Sequence, residues 1–185
     1  MISSDGVRVI AGRLKGRRLK APTWAGLRPT SDKLRETLFN ILAPRIEGAR
    51  VLDGFAGTGA IGIEALSRGA AHVTFVDKDR RAAALVEENL AACGIDVGAM
   101  LHRGDLTEVL AGLPRDTTFD IIVLDPPYDA VGIEAALASA ALRLSTEGVL
   151  VLERATRRDP AVPPSLIQMR HVKSGDSTLT LMRLR

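Results

Sequence analysis

Residues Arg50–Leu66 read RVLDGFAGTGAIGIEAL. Val51 and Leu52 form a short apolar run that predicts a buried strand. Gly54, Gly57, Gly59 and Gly62 then break the pattern, and from about Ala60 the apolar residues Ile61, Ala65 and Leu66 recur at helical spacing. Strand, glycine loop, helix is the context in which a glycine-rich motif becomes informative. Glycines let the backbone turn tightly and approach a ligand that a Cβ would hold off. The helix N-terminus behind them is expected to offer unpaired N–H groups.

Two ligands fit such a loop. Gly57-Thr58-Gly59-Ala60-Ile61-Gly62 matches G-x-G-x-x-G, with Asp77 at the position of the acid in a dinucleotide fingerprint. Against a dinucleotide stands Asp53, at the tip of the strand just before the loop. Its carboxylate would repel a pyrophosphate and attract an ammonium group, such as the amino acid end of S-adenosylmethionine (SAM). Asp53-x-x-x-Gly57-x-Gly59 therefore reads as a SAM loop. A plain strand–helix turn would not need glycines set so closely.

The 185 residues fit one main domain with a short appendage. A single cysteine, Cys93, rules out an intramolecular disulfide and a multi-Cys zinc site, and it fits a reducing cytosol. Cys93 sits in an Ala-rich helical stretch and reads as a small packed side chain. His72, His102 and His171 show no ligand spacing, so no metal is expected. No apolar run approaches a membrane span of about 18 residues. Residues 1–50 hold eleven Lys/Arg against four Asp/Glu, a net +7; residues 51–185 hold fourteen against eighteen, a net −4. The positive charge is thus placed at the N-terminus, which speaks to partners rather than fold.

Val7–Ala11 alternates, Gly12–Gly16 is a turn candidate, and Arg17–Lys20 returns, predicting a basic β-hairpin. It carries Arg8, Arg13, Lys15, Arg17, Arg18 and Lys20 and no acid between them. A solvated face is the bland reading of such a run. Each cation that meets a phosphate instead adds salt-dependent affinity, and the density of charge favours a polyanion. Ala21–Thr30 is a loop holding Trp24, expected to cover the core, and Arg28, a further RNA-binding candidate. Thr30 or Ser31 caps a helix over Asp32–Leu42, which Pro44 is expected to end.

Downstream, His72–Val76 predicts a strand ending in Asp77, placed to accept from ribose hydroxyls, with Lys78 beside it. Helix Arg80–Ala92 follows. A weaker strand over Asp96–Arg103 leads into Gly104-Asp105-Leu106, where Asp105 is either an acceptor for an adenine amine or an N-cap. Phe119–Leu124 is the strongest buried strand, and it runs into Asp125-Pro126-Pro127-Tyr128. Consecutive prolines stop a sheet and remove N–H donors. The carbonyls and the Asp125 carboxylate then make an acceptor-rich lip suited to an exocyclic amine, and Tyr128 offers a surface for a flipped base. A helix over Val131–Leu142, a strand over Gly148–Glu153, a loop over Arg154–Pro164 and two strands, Ser165–Lys173 and Ser177–Leu184, joined around Gly175-Asp176, complete the chain.

Asp53–Gly59, Asp77, Gly104-Asp105 and Asp125–Tyr128 resemble the ordered motifs of class I SAM-dependent methyltransferases. Arg8–Gly12, Gly16–Leu19, Leu27–Thr30 and Arg35–Asn40 together resemble the RsmD-type members, which methylate N2 of one guanine in bacterial 16S rRNA. The resemblance covers nearly the whole chain. It implies an α/β Rossmann-like fold: a mostly parallel seven-stranded sheet with helices on both faces and a reversed final hairpin, plus the basic N-terminal hairpin. Residues 1–30 would be an RNA-binding appendage and 31–185 the methyltransferase domain. The implied cofactor is SAM, with Asp53 on its amino group, Phe55, Ala56, Gly57, Thr58 and Gly59 against it, Asp77 and Lys78 at the ribose, and Gly104, Asp105 and Leu106 at the adenine. Asp125, Pro126, Pro127 and Tyr128 would be catalytic. The implied partner is 16S rRNA within the small ribosomal subunit, and a cytoplasmic monomer is expected. Rival readings are an amino-methyltransferase acting on DNA adenine N6 or a protein glutamine, an NAD(P)-dependent oxidoreductase, and a non-catalytic RNA-binding assembly factor.

Overall fold

The computed structural model describes residues 7–24 and 31–185; Arg28 and the rest of Leu27–Thr30 lie outside them. Strands β1 (Arg50–Gly54), β2 (His72–Asp77), β3 (Ala99–Arg103), β4 (Phe119–Leu124), β5 (Leu144–Ala155), β6 (Leu166–Ser174) and β7 (Ser177–Leu184) form one sheet in the order β3-β2-β1-β4-β5-β7-β6. The first five strands run parallel. β7 is antiparallel between β5 and β6. The reversed final hairpin is therefore present, and β7 matches its expected bounds.

Period-two alternation along the strands divides the core. Val51, Val73, Phe75, Ile121 and Val123 face α1 (Asp32–Ile46), α2 (Ala60–Ser67) and α3 (Arg80–Ala92). Leu52, Val76, Ile122 and Leu124 face α4 (Leu106–Gly112) and α5 (Ile133–Ala141). Strands buried on both sides read as unbroken apolar runs, as Ile121–Leu124 of β4 does. Cys93 is buried in the first cluster, and burial pushes its thiol pKa up, as suits a packed side chain.

Several boundaries differ from expectation. Ser31 caps α1 through its hydroxyl, accepting from the Leu34 N–H at 3.2 Å. Pro44, however, lies inside α1, which continues to Ile46. The proline removes one donor, toward the Asn40 carbonyl, on a turn where Asn40 and Pro44 are both exposed, so the loss is borne on the solvent side of the helix. β3 begins at Ala99, because Gly98 turns the chain at φ +77°. β5 begins earlier and ends later than the apolar run Gly148–Glu153, since its outer parts pair with β4 across a bulge and with β7. α5 starts at Ile133 after Gly132 at φ +78°. Trp24 belongs to neither apolar cluster; the Arg81 guanidinium lies 5.0 Å above its ring.

The N-terminal segment pairs as a hairpin, with a single antiparallel bridge between Arg8 and Arg18 and backbone bonds linking Val9 to Arg17 and Leu19 to Val7. Its apolar side chains Val7, Val9, Leu14 and Leu19 are buried in the first cluster, while its six cations are exposed. The hairpin is docked largely by backbone. Buried Glu64 of α2 accepts from the Ile10 and Ala11 N–H groups at 2.7 and 3.0 Å. Ser67 receives the Leu14 N–H on its hydroxyl and the Arg13 N–H on its carbonyl. Gly12 approaches so closely that a Cβ would stand 1.9 Å from the Ser67 carbonyl oxygen.

Gly62 makes the corresponding approach between α2 and β2. A Cβ there would lie 2.2 Å from the Phe75 ring, and that ring is fully buried. Alanine would gain about 1 kcal/mol of helix propensity, but overpacking costs about 1–3 kcal/mol. Gly62→Ala is therefore expected to lower stability in a urea titration. An unchanged or raised midpoint would show that the helix can lift off the sheet without cost.

Candidate functional site

The strand order reverses between β1 and β4. Open α/β sheets collect ligands at such a switch point, at the carboxyl ends of the strands. Four acids stand along that edge. Asp53 is the penultimate residue of β1, Asp77 closes β2, Asp105 follows β3 by two residues, and Asp125 follows β4 directly. Gly54 pairs with Val76 and with Leu124, so Asp77 and Asp125 each lie one step past the Gly54 level. The lateral sequence along the edge is Asp105, Asp77, Asp53, Asp125.

Asp53 is almost fully buried. Its Oδ2 accepts from the Gly62 N–H at 2.8 Å, while its Oδ1 is buried and has no hydrogen-bond partner. It thereby caps α2, whose own N-cap, Gly59 at φ +76°, carries no side chain to do so. Burial drives the Asp53 pKa well above the ordinary carboxylate range. The Gly62 N–H opposes that shift, and the Asp125 and Asp77 charges reinforce it.

The loop between β1 and α2 turns its N–H groups inward. Gly57 donates to Asp77 Oδ2 at 2.8 Å, Gly59 to the Ala56 carbonyl, and Ala60 to the Thr58 hydroxyl. The expectation of unpaired N–H groups at this terminus therefore fails at Gly57, Gly59, Ala60 and Gly62, because Asp53, Asp77 and the loop itself consume them. A pyrophosphate would need those donors, so the dinucleotide reading loses its physical basis. What the loop presents instead is acceptor capacity. Phe55 holds φ +65°, a conformation that costs a non-glycine residue about 1–3 kcal/mol. Its half-buried ring packs against the second cluster.

Asp77 accepts from Gly57 on one oxygen and from the Asp79 N–H on the other at 2.9 Å. The cap of α3 is Asp79, whose bond to the Arg81 side chain lowers its pKa to about 2. Asp105 caps α4 by accepting from the Thr107 N–H at 2.9 Å, and the Thr107 hydroxyl holds its pKa down. Lys78 is exposed, Gly104 donates to the Asp77 carbonyl, and Leu106 is buried beside Gly54. Across the switch point the Asp125 N–H donates to the Gly54 carbonyl at 3.3 Å. Pro126 is buried and Pro127 exposed. The Tyr128 hydroxyl is hydrogen-bonded to the Ser177 hydroxyl at the start of β7. Among the described residues, no group of three or more His, Cys, Asp or Glu could hold a metal ion, and no helix is long and apolar enough to cross a membrane.

Two residues absent from the sequence-derived candidates hold the basic hairpin to the helices, and one of them also reaches the glycine loop. Asn89 of α3 is fully buried. Its Oδ1 accepts from the Lys20 N–H at 2.7 Å, and its Nδ2 donates to the Lys20 carbonyl at 3.2 Å and to the Thr58 carbonyl at 2.9 Å. Arg35 of α1, also fully buried, donates to the Arg8 carbonyl at 2.7 Å and to Asp32 at 2.6 Å. An Asn inside an amphipathic helix carries no sequence signal of this kind. For Arg35 a signal exists: it falls on the buried face of α1, one residue after Leu34, where a cation needs a partner.

A family model described as conserved hypothetical protein 95 matches residues 7–183. The chain is 46% identical over 132 residues to the Bacillus subtilis protein YlbH, covering 71% of this chain and 72% of that one. It is 41% identical over 125 residues to the Escherichia coli protein named ribosomal RNA small subunit methyltransferase D, covering 68% of this chain and 62% of that relative. The solved structure of Escherichia coli yhhF superposes with a TM-score of 0.83 at 35% identity, over 96% of this chain and 97% of that one.

The half-paired Asp53 sets a test. Its raised folded pKa means that stability is lost as pH rises from the unfolded value through the folded one, and the full cost is present above it. Asp53→Asn is expected to leave the ligand-free protein as stable or more stable near neutral pH, and to weaken SAM binding about tenfold or more, the scale of a charge-assisted bond. Melting curves and calorimetric titration measure the two; undiminished affinity would remove the ammonium role.

Proposed function

The chain belongs to the RsmD-type methyltransferase family, and from that premise we propose that it transfers a methyl group from SAM to the N2 amine of one guanine in bacterial 16S rRNA. Small subunits, assembled or partly assembled, are the substrate form we assign. The observation that carries the reading is the buried Asp53 with one unpaired oxygen, set beside the Asp125–Tyr128 lip at the switch point. A cationic N–H donor satisfies the first, and an amine with hydrogens to give suits the second.

Bound SAM supplies an electrophilic methyl on a sulfonium. The residues of the chain bind and orient. Asp53 Oδ1 accepts from the amino acid ammonium, relieving the cost of its burial. The Phe55–Gly59 loop lies along the cofactor. Asp77 has lone pairs beyond those given to Gly57 and Asp79, and they take the ribose hydroxyls. Asp105 accepts from the adenine amine next to Leu106. Tyr128, steadied by Ser177, supports the extruded guanine. The Asp125 carboxylate and the Pro126 carbonyl accept from the N2 hydrogens, which turns the nitrogen lone pair toward the methyl. The N–CH3 bond forms as the S–CH3 bond breaks, and the alkylated amine then sheds a proton to water. Positioning and acceptors aimed at the growing positive charge supply the acceleration. The exposed cations of the N-terminal hairpin hold rRNA phosphates, and its docking through Asn89 sets their distance from the cofactor loop.

Labelled SAM should transfer its methyl to small subunits from a strain lacking the enzyme in preference to naked 16S rRNA from the same strain, and nucleoside analysis should return N2-methylguanosine. Another methylated nucleoside, or none, would overturn the assignment. Asp125→Ala should abolish transfer with SAM affinity largely retained; near-normal turnover would exclude its role. Arg17→Glu with Arg18→Glu should weaken rRNA binding and flatten its salt dependence, by about 0.7–0.9 in slope for each phosphate no longer neutralised. An unchanged slope would place the hairpin in solvent.

A further inference from the structure

A second concentration of positive charge lies at the C-terminal end of the chain. Residues 51–153 hold seven Lys/Arg against sixteen Asp/Glu, a net −9, whereas residues 154–185 hold seven against two, a net +5. An acidic body is thus flanked by two basic ends.

The fold puts the second end at the catalytic edge. β5 arrives at that edge with Ala155, and β7, being antiparallel, starts there with Ser177, its partner. Arg154, Thr178 and Lys173 form one row across β5, β7 and β6. The loop that follows β5 is rigidly held. Arg154, nearly buried, donates to the Thr180 hydroxyl at 3.2 Å and to the carbonyls of Ala155, Thr156 and Arg158, and it pairs with Asp159 at 3.1 Å. The Thr156 N–H donates to the Asp176 carbonyl at 2.8 Å. This places exposed Arg157 and Arg158 beside the lip: an Arg158 Nη1 donates to the carbonyl of Ala130, two residues after Tyr128. Among the described residues, Arg157, Arg158 and Lys173 form no ion pair, unlike Arg8 and Lys20 of the N-terminal hairpin, which pair with Asp32 and Glu88.

We propose that Arg157, Arg158 and Lys173 form a second RNA-binding surface, which takes phosphates on the side of the Asp125–Tyr128 lip away from the N-terminal hairpin. The N-terminal hairpin docks on α1, α2 and α3, with α2 and α3 over β1 to β3 and α1 reaching β4, while the second surface lies on β5 to β7, on the other side of the lip borne by β4. Backbone held on both sides of one nucleotide leaves that nucleotide as the point of strain, an arrangement that suits extruding a base. The inference rests on the proposed rRNA substrate, and it concerns binding rather than transfer.

The test is binding of small ribosomal subunits from a strain lacking the enzyme by the full chain across a KCl series, for wild type and for R157Q/R158Q/K173Q, with Lys173→Gln alone as a milder variant. Removing three phosphate-binding cations should reduce the slope of log affinity against log salt by about 2, and removing one by about 0.7, with SAM affinity and the melting midpoint unchanged. Wild type that methylates guanine N2, with a slope that neither variant alters, overturns the second surface alone. Wild type whose binding depends on these residues but that methylates no guanine overturns the substrate assignment and leaves the surface standing. Wild type that does not bind small subunits overturns both.

Discussion

A carboxylate removed from water with only one of its oxygens bonded is the constraint on which the rest of this structure turns. Asp53 gives Oδ2 to the Gly62 N–H and keeps Oδ1 buried and unpaired. The bond fixes where α2 begins. That start requires Gly59 at φ +76° in place of a capping side chain, and Gly62 where Phe75 leaves no room for a Cβ. The unpaired oxygen costs stability, because a buried charge without a partner is penalised. The cost is localised where a cationic ligand would remove it. Stability and binding are therefore set against each other at a single side chain, as is common where strain and function coincide.

Hydrogen bonding of buried polar groups also governs the attachment of the basic hairpin. Its backbone N–H groups are received by Glu64, Ser67 and Asn89, all on helices that also carry or flank the cofactor loop. Backbone docking leaves its cations exposed. Asn89 reaches both Lys20 and the Thr58 carbonyl, so movement of the hairpin and movement of the glycine loop share a hydrogen-bonded residue. The strained Phe55 stands in the same loop.

Much of this is legible in the sequence. The run FDIIVL, followed after Asp125 by two prolines, reads as a buried strand with a sharp stop, and β4 has those bounds. Each acid at the end of an apolar run falls at a strand tip, because parallel strands end on one edge of the sheet. Other features are not legible, for physical reasons. Pro44 reads as a helix end, but a proline on a solvent-facing turn gives up one bond to water and no packing. The N–H groups of the glycine loop read as free, but whether a loop donor faces a ligand or a neighbouring carboxylate depends on residues 20 positions away, as with Gly57 and Asp77. The second basic end is only half legible in the sequence, because Arg157 and Arg158 are adjacent there but Lys173 joins them only through the antiparallel register of β5, β7 and β6.

Asp53 is, on this reading, a buried carboxyl awaiting a cation. The most direct measurement is its carboxyl carbon resonance, followed by NMR against pH in the presence and absence of SAM. Titration well above the ordinary carboxylate range in the free protein, falling when SAM binds, is the predicted result. A resonance that titrates normally when free, or that does not move on saturation with SAM, would contradict it.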